Sequence, residues 1–200
     1  MSAALAALAD PPNRYIDATV LDFLLIEAVN TLRDSAAVAT ARAKKIEREM
    51  IDVGILSPPA KETSDDDEAL RVRLEAIGMH LGANFAERLC RDKPLFTETL
   101  DAIKFVCKDM WAACWEKQVD NLRTNHRGVY VLQDNSFRPI MRLSSWESRE
   151  VAIKRAKTYA TIPAGIVRGA LARLGYQSTV IAEITSLPQC TFQVKLPKGS

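Results

Sequence analysis

At 200 residues, with 27 Lys and Arg against 25 Asp and Glu, the chain has the length for one domain with a sizeable core, and no overall charge excess that would draw a polyanionic partner. A hydrophobic share of 48% excludes a mostly disordered chain. The four cysteines, Cys90, Cys107, Cys114 and Cys190, form neither a CxxC pair nor a framework spacing, which predicts reduced thiols in a cytosolic protein.

Residues 1–14 read as a flexible tail. Their Ala-rich start has no basic n-region and is cut short by Asp10-Pro11-Pro12, so no secretory signal is expected. The longest apolar run, Val20 to Val29, carries Asp22 and Glu27, whereas a membrane span needs about 20 largely uncharged residues. Membrane contact is therefore expected to be peripheral at most.

From Tyr15 to about Asp34 the spacing predicts a helix. Leu21, Leu24, Leu25, Ala28 and Leu32 mark one face, while Val20, Phe23, Ile26 and Val29 widen the stripe nearly all the way round. A helix apolar on most of its circumference is buried on more than one side, and in a chain this small a second chain is expected to cover part of it. A second, more charged helix is predicted over Ala36 to Met50. The stretch from about 55 to 68, ending in Thr63-Ser64-Asp65-Asp66-Asp67-Glu68, reads as a disordered insert.

Helical character resumes from Ala69 to about Arg91, with Leu70, Leu74, Ile77, Leu81, Phe85 and Leu89 on one face. Gly78 and Gly82 within it each cost about 1 kcal/mol relative to Ala, which points to a close approach of another backbone. A long helix follows from Phe96 or Thr97 to about Val119. The period then changes to that of a hairpin: a strand over Gly128 to Gln133, a turn at Asp134-Asn135-Ser136 and a returning strand over Phe137 to Arg142. Residues 146–160 form a basic helix. Pro163 opens another that runs to Leu174 and stops at Gly175. The small residues Ala164, Gly165, Gly169 and Ala172 make its face thin enough to lie flat on a sheet. A second hairpin, Ser178 to Thr185 and Cys190 to Leu196, closes the chain. The sum is one α+β domain over 15–197 with helices packed on a four-stranded antiparallel sheet.

No motif for chemistry accompanies this pattern. His80 and His126 have no partner at metal-ligand spacing, the glycines of AGIVRGALARLG lack the phosphate-loop spacing, and no GxSxG or HExxH occurs. The polar cluster Asp120, Asn121, Arg123, Asn125 and Arg127 reads as the capping of a helix end that turns into a strand. Lys154, Arg155, Lys157 and Arg149 read as a solvated face, with a weak contact to anionic lipid as the second reading. No aromatic RNA-binding signature stands beside them, so nucleic acid is not an expected partner.

Two long segments, DNLRTNHRGVYVLQDNSFR (120–138) within the block Lys104 to Ile140, and AGIVRGALARLG continuing into VIAEITSLPQCTFQV (180–194), resemble the small-subunit family of TRAPP, the transport protein particle, in its sixth-component branch. The resemblance covers roughly residues 16–197, and Lys44 to Glu68 departs from the more compact members. It implies a non-catalytic, cofactor-free subunit of a vesicle-tethering and Rab guanine-nucleotide-exchange complex in ER-to-Golgi and Golgi traffic. The chain would be cytoplasmic and peripheral to those membranes. It also implies a heterodimer with the acylated central small subunit, contact with the larger complex-specific subunits and only indirect contact with the Rab GTPase. A homodimer in isolation is left open. Lys93 falls where the central subunit has its acylated cysteine, and acylation is not carried over to nearby Cys90. The expected partner interface is Val20, Phe23, Leu24, Ile26, Val29, Leu32, Leu81 and Phe85. The competing reading is a module binding a lipid tail or small hydrophobe in an internal apolar cavity.

Overall fold

The computed structural model describes residues 17–57, 66–125 and 128–197. The elements are α1 (Ala18–Asp52), α2 (Asp66–Leu89), α3 (Thr99–Phe105), a π-helical turn (Val106–Met110), α4 (Trp111–Trp115), β1 (Asn121–Thr124), β2 (Val129–Asp134), α5 (Arg138–Met141), α6 (Arg149–Tyr159), α7 (Thr161–Arg173), β3 (Thr179–Glu183) and β4 (Cys190–Lys195). The architecture is α+β, with helices packed on one antiparallel sheet of order β1-β2-β4-β3. The 1–14 tail and residues 58–65 of the insert lie outside the described residues. Residues 66–68 open α2 rather than extending a loop, and the charges of Asp67 and Glu68 complement the positive end of the helix dipole.

The first helical stretch is longer than its pattern suggests. Nothing between Asp34 and Ala36 breaks it, and the Ala-rich run 36–43 has the highest helix propensity, so the two predicted helices are one.

The first hairpin also differs. Its strands are β1 and β2, with Leu122 opposite Leu132, and the turn between them is held by Asn125, whose side-chain oxygen accepts from the Val129 amide at 3.0 Å. Phe137 to Arg142 is not a strand. Pro139 has no N–H to give a ladder and its fixed φ suits a first helical turn, so Arg138–Met141 coils into the short α5. The helix predicted to reach Val119 stops at Trp115, where Glu116 adopts the left-handed conformation with φ 58°.

Trp111, Trp115, Phe137 and Phe192 form the centre of the core, with ring centroids 4.4–5.8 Å apart along Trp111–Trp115, Trp111–Phe137 and Trp111–Phe192. Edge-on contacts of Phe137 to Trp115 and Phe192 close the cluster. It joins α4 to β4 through Trp111 and Phe192, with Phe137 packed between.

The close approach expected at Gly78 and Gly82 is present. A Cβ on Gly78 would collide with the Ile162 carbonyl, and one on Gly165 would stand 2.5 Å from the Glu75 carbonyl oxygen. The thin face of α7 therefore packs on α2, not flat on the sheet, and α7 meets the sheet mainly along β3. The reason is reciprocity: both helices carry glycines four apart, and two thin faces bring the helix axes closer than either could approach the side chains of a sheet.

Candidate partner-docking face

Asp17 caps α1. Its carboxylate accepts from the hydroxyl and the amide of Thr19, the latter at 2.8 Å, and these bonds hold its carboxyl below the usual carboxylate range. One turn on, Asp22 accepts from Arg142 Nε at 2.8 Å and stands 3.7 Å from Arg138, which ties the start of α1 to α5. The N-terminal half of α1 is thus held on the body at a fixed rotation.

That rotation sorts the apolar residues. Val29 and Ala36, seven apart and on one face, are fully buried, with Leu25, Ile26 and Leu32 packed beside them. On the other side Val20, Phe23 and Leu24 remain 54%, 61% and 62% exposed. Leu81 of α2 is also exposed, whereas Phe85 is half-buried against the core. Of the predicted interface, then, Val20, Phe23, Leu24 and Leu81 present free surface. Ile26, Leu32 and Phe85 are partly buried against this chain's own core. Val29 belongs to this chain's own core and leaves the docking face, because its turn of the helix points inward.

Sequence reasoning missed part of this surface. Val38 and Ile46 on α1, and Val72 on α2, are exposed as well. Val20, Leu24, Thr31 and Val38 follow spacings of four and seven and are all exposed, so one stripe runs past the point where the sequence becomes charged.

The polar joint after α4 is structural. Asp134, buried at the end of β2, accepts from the Trp111 indole N–H at 2.8 Å, from Lys117 Nζ at 2.6 Å and from the Ser136 amide at 3.0 Å. Asp120 accepts from the Asn135 amide at 2.7 Å and from Lys117 at 3.0 Å, and these bonds hold its carboxyl below the usual range. Arg123 and Asn125 are exposed, while His126 and Arg127 lie outside the described residues. Burial pushes the Cys107 and Cys190 thiols up to about 12 and Cys114 to about 11, so none of these is a ready nucleophile. Cys90 sits one residue beyond α2, and burial raises its thiol too. Lys93 pairs with Asp109 at 2.5 Å and lies 4.9 Å over the Phe105 ring. Among the described residues no group of three or more His, Cys, Asp and Glu could hold a metal ion, and no helix is long and apolar enough to cross a membrane.

Helices packed on one antiparallel sheet and an exposed apolar face on α1 are the features that set the class of this fold. Residues 21–197 match the transport protein particle (TRAPP) component family, and the chain belongs to it. Within the family it is a TRAPP complex subunit of the sixth-component branch. It is 44% identical over 126 residues to trafficking protein particle complex subunit 6B of Mus musculus, covering 63% of this chain and 78% of that protein. To subunit 6A of Homo sapiens it is 45% identical over 126 residues, covering 63% and 77%. An uncharacterized Schizosaccharomyces pombe protein is 34% identical over 180 residues, covering 90% of this chain and 64% of that one. Among solved structures, subunit 3 of a trafficking protein particle complex from Naegleria fowleri, covalently bound to palmitic acid, superposes with a TM-score of 0.55. At 16% identity, covering 82% of this chain and 96% of that chain, it supports the shared fold alone.

Proposed function

We propose that this chain is a non-catalytic scaffold of the TRAPP complex that heterodimerises through α1 and α2 with the acylated central small subunit. From that position it helps recruit the larger subunits of a tether that activates a Rab GTPase in ER-to-Golgi and Golgi traffic. The exchange surface is supplied mainly by other subunits, and membrane association is indirect.

One observation carries the reading: Phe23 and Leu24 stand more than half exposed on a helix whose opposite side is fully buried. Contiguous exposed apolar surface on a soluble domain marks an interaction site, and a large apolar side chain yields about 1.5–3 kcal/mol when fully covered. The Asp22 clamp presents these residues in a preset orientation, which lowers the ordering cost of docking.

The test is co-expression with the central small subunit, followed by size-exclusion chromatography with light scattering. A stable one-to-one heterodimer is expected. Phe23→Asp and Leu24→Asp should abolish it while the isolated chain keeps its melting temperature, since neither side chain is in the core. Two separate peaks with the native pair, or wild-type recovery with both variants, would sink the assignment. In that case a lipid found by comparing native and denaturing mass spectra would favour the hydrophobe-binding reading.

A further inference from the structure

Away from the docking face, the α1–α2 and α6–α7 layers leave a cleft of about 440 Å³. Its walls carry Arg33 from α1, Arg71 from α2 and Lys154, Arg155 and Lys157 from α6, against a single lining carboxylate, Asp67. Thr158 and Thr161 add two hydroxyls. This concentration is local, because the whole chain has a net charge of only +2.

The cations are unevenly satisfied. Arg71 is shared between Glu68 and Glu75, and Arg155 stands 3.7 Å from Glu147. Arg33 reaches only the Asn30 side-chain oxygen, at 3.3 Å. Among the described residues, Arg33, Lys154 and Lys157 have no carboxylate within ion-pair distance. Cations drawn from three helices to one concavity raise its local positive potential, which favours a dense anionic charge there.

We propose that this cleft binds a multiply phosphorylated ligand. Guanidinium groups meet phosphate oxygens in bidentate pairs, lysines add point charges, and threonine hydroxyls donate to the remaining oxygens. The volume falls within the roughly 300–1,000 Å³ of small-molecule sites, and no aromatic lines it for base stacking. The same phosphate chemistry is offered by a soluble inositol polyphosphate and by a phosphoinositide headgroup at a membrane surface. The proposal is independent of the heterodimer reading.

Titration calorimetry of the full-length chain with inositol hexakisphosphate tests it. Saturable binding is expected, weakened about tenfold or more by Lys154→Glu with Lys157→Glu, since the double change reverses two of the focal charges. Both side chains are exposed, so the variant should keep the wild-type melting temperature. Lys108→Glu, exposed and outside the cleft, should change affinity by less than about twofold, as expected of a distant screened charge. No saturable binding, or an equal loss with Lys108→Glu, would overturn the site. Co-sedimentation with phosphatidylcholine vesicles containing phosphatidylinositol bisphosphate then separates the sources. Vesicle binding lost in the double variant supports a lipid headgroup, and binding of the soluble probe alone supports a free polyphosphate.

Discussion

Gly78 and Gly165 face each other so closely that a Cβ on Gly78 would fall 2.9 Å from the Gly165 Cα, and one on Gly165 3.0 Å from the Gly78 Cα. The contact is made by main chain on both sides, so no flexible side chain can swing away to make room. It fixes how closely α2 and α7 approach.

In an unpacked helix, Gly→Ala stabilises by about 1 kcal/mol. Here the sign should reverse. Gly165→Ala is expected to destabilise by about 1–3 kcal/mol or more, the range of overpacked cores, because the backbone of α2 must shift. Urea unfolding midpoints measure it, and a stabilised variant would contradict the packing.

Asp134 should be the costliest polar side chain to remove. Asp134→Ala strips the acceptor from the buried Trp111 indole and one of two carboxylates from Lys117, which keeps Asp120, and a loss of about 1–3 kcal/mol is expected for the unsatisfied buried donor. Asp134→Asn keeps an acceptor for the indole and should lose less. Chemical unfolding of both variants, followed by tryptophan fluorescence, tests the ordering, and equal losses would place the importance elsewhere.

The same network makes two pH limits. The Asn135 amide and Lys117 hold the Asp120 carboxyl below its unfolded value of about 3.9. Its contribution is therefore present above that pH and is lost as pH falls through the lowered folded value. For Lys117 burial works against the charged form, but hydrogen bonds to Asp134 and Asp120 outweigh it and raise the ammonium above about 10.4. That contribution is complete below the unfolded value and is lost as pH rises through the raised one. Unfolding midpoints across pH should form a plateau with a fall at each end. Lys117→Gln should flatten the alkaline fall and Asp120→Asn the acidic one.

The helical stretches were legible in the sequence through their periodicity, their faces only in part. Leu70 and Leu74 are core residues as their spacing predicts, but Ile77 and Leu81 of the same predicted face are exposed, because the buried stripe continues through Gly78, Gly82 and Ala86. β1 was not, since Asn121-Leu122-Arg123-Thr124 is half exposed and too short to show alternation among polar neighbours. Pro139 carried the signal against a returning strand, outweighed there by Phe137 and Ile140. The excess apolarity of α1 was legible in the sequence. Which side faces outward was not, because rotation is set by Asp22 and Arg142, which lie 120 residues apart. The basic cleft was hidden for the same reason. Its cations come from segments that only the tertiary fold brings together, and the near-even charge count conceals them.

The unbroken run of α1 has a geometric consequence. At 35 residues and 1.5 Å per residue, it is a stiff rod about 50 Å long. Phe23 lies near one end and Ile46 near the other, both uncovered. Neighbours gripping the two ends would be spaced by the helix itself, as by a ruler, and a proline inserted midway would change their separation without touching either contact.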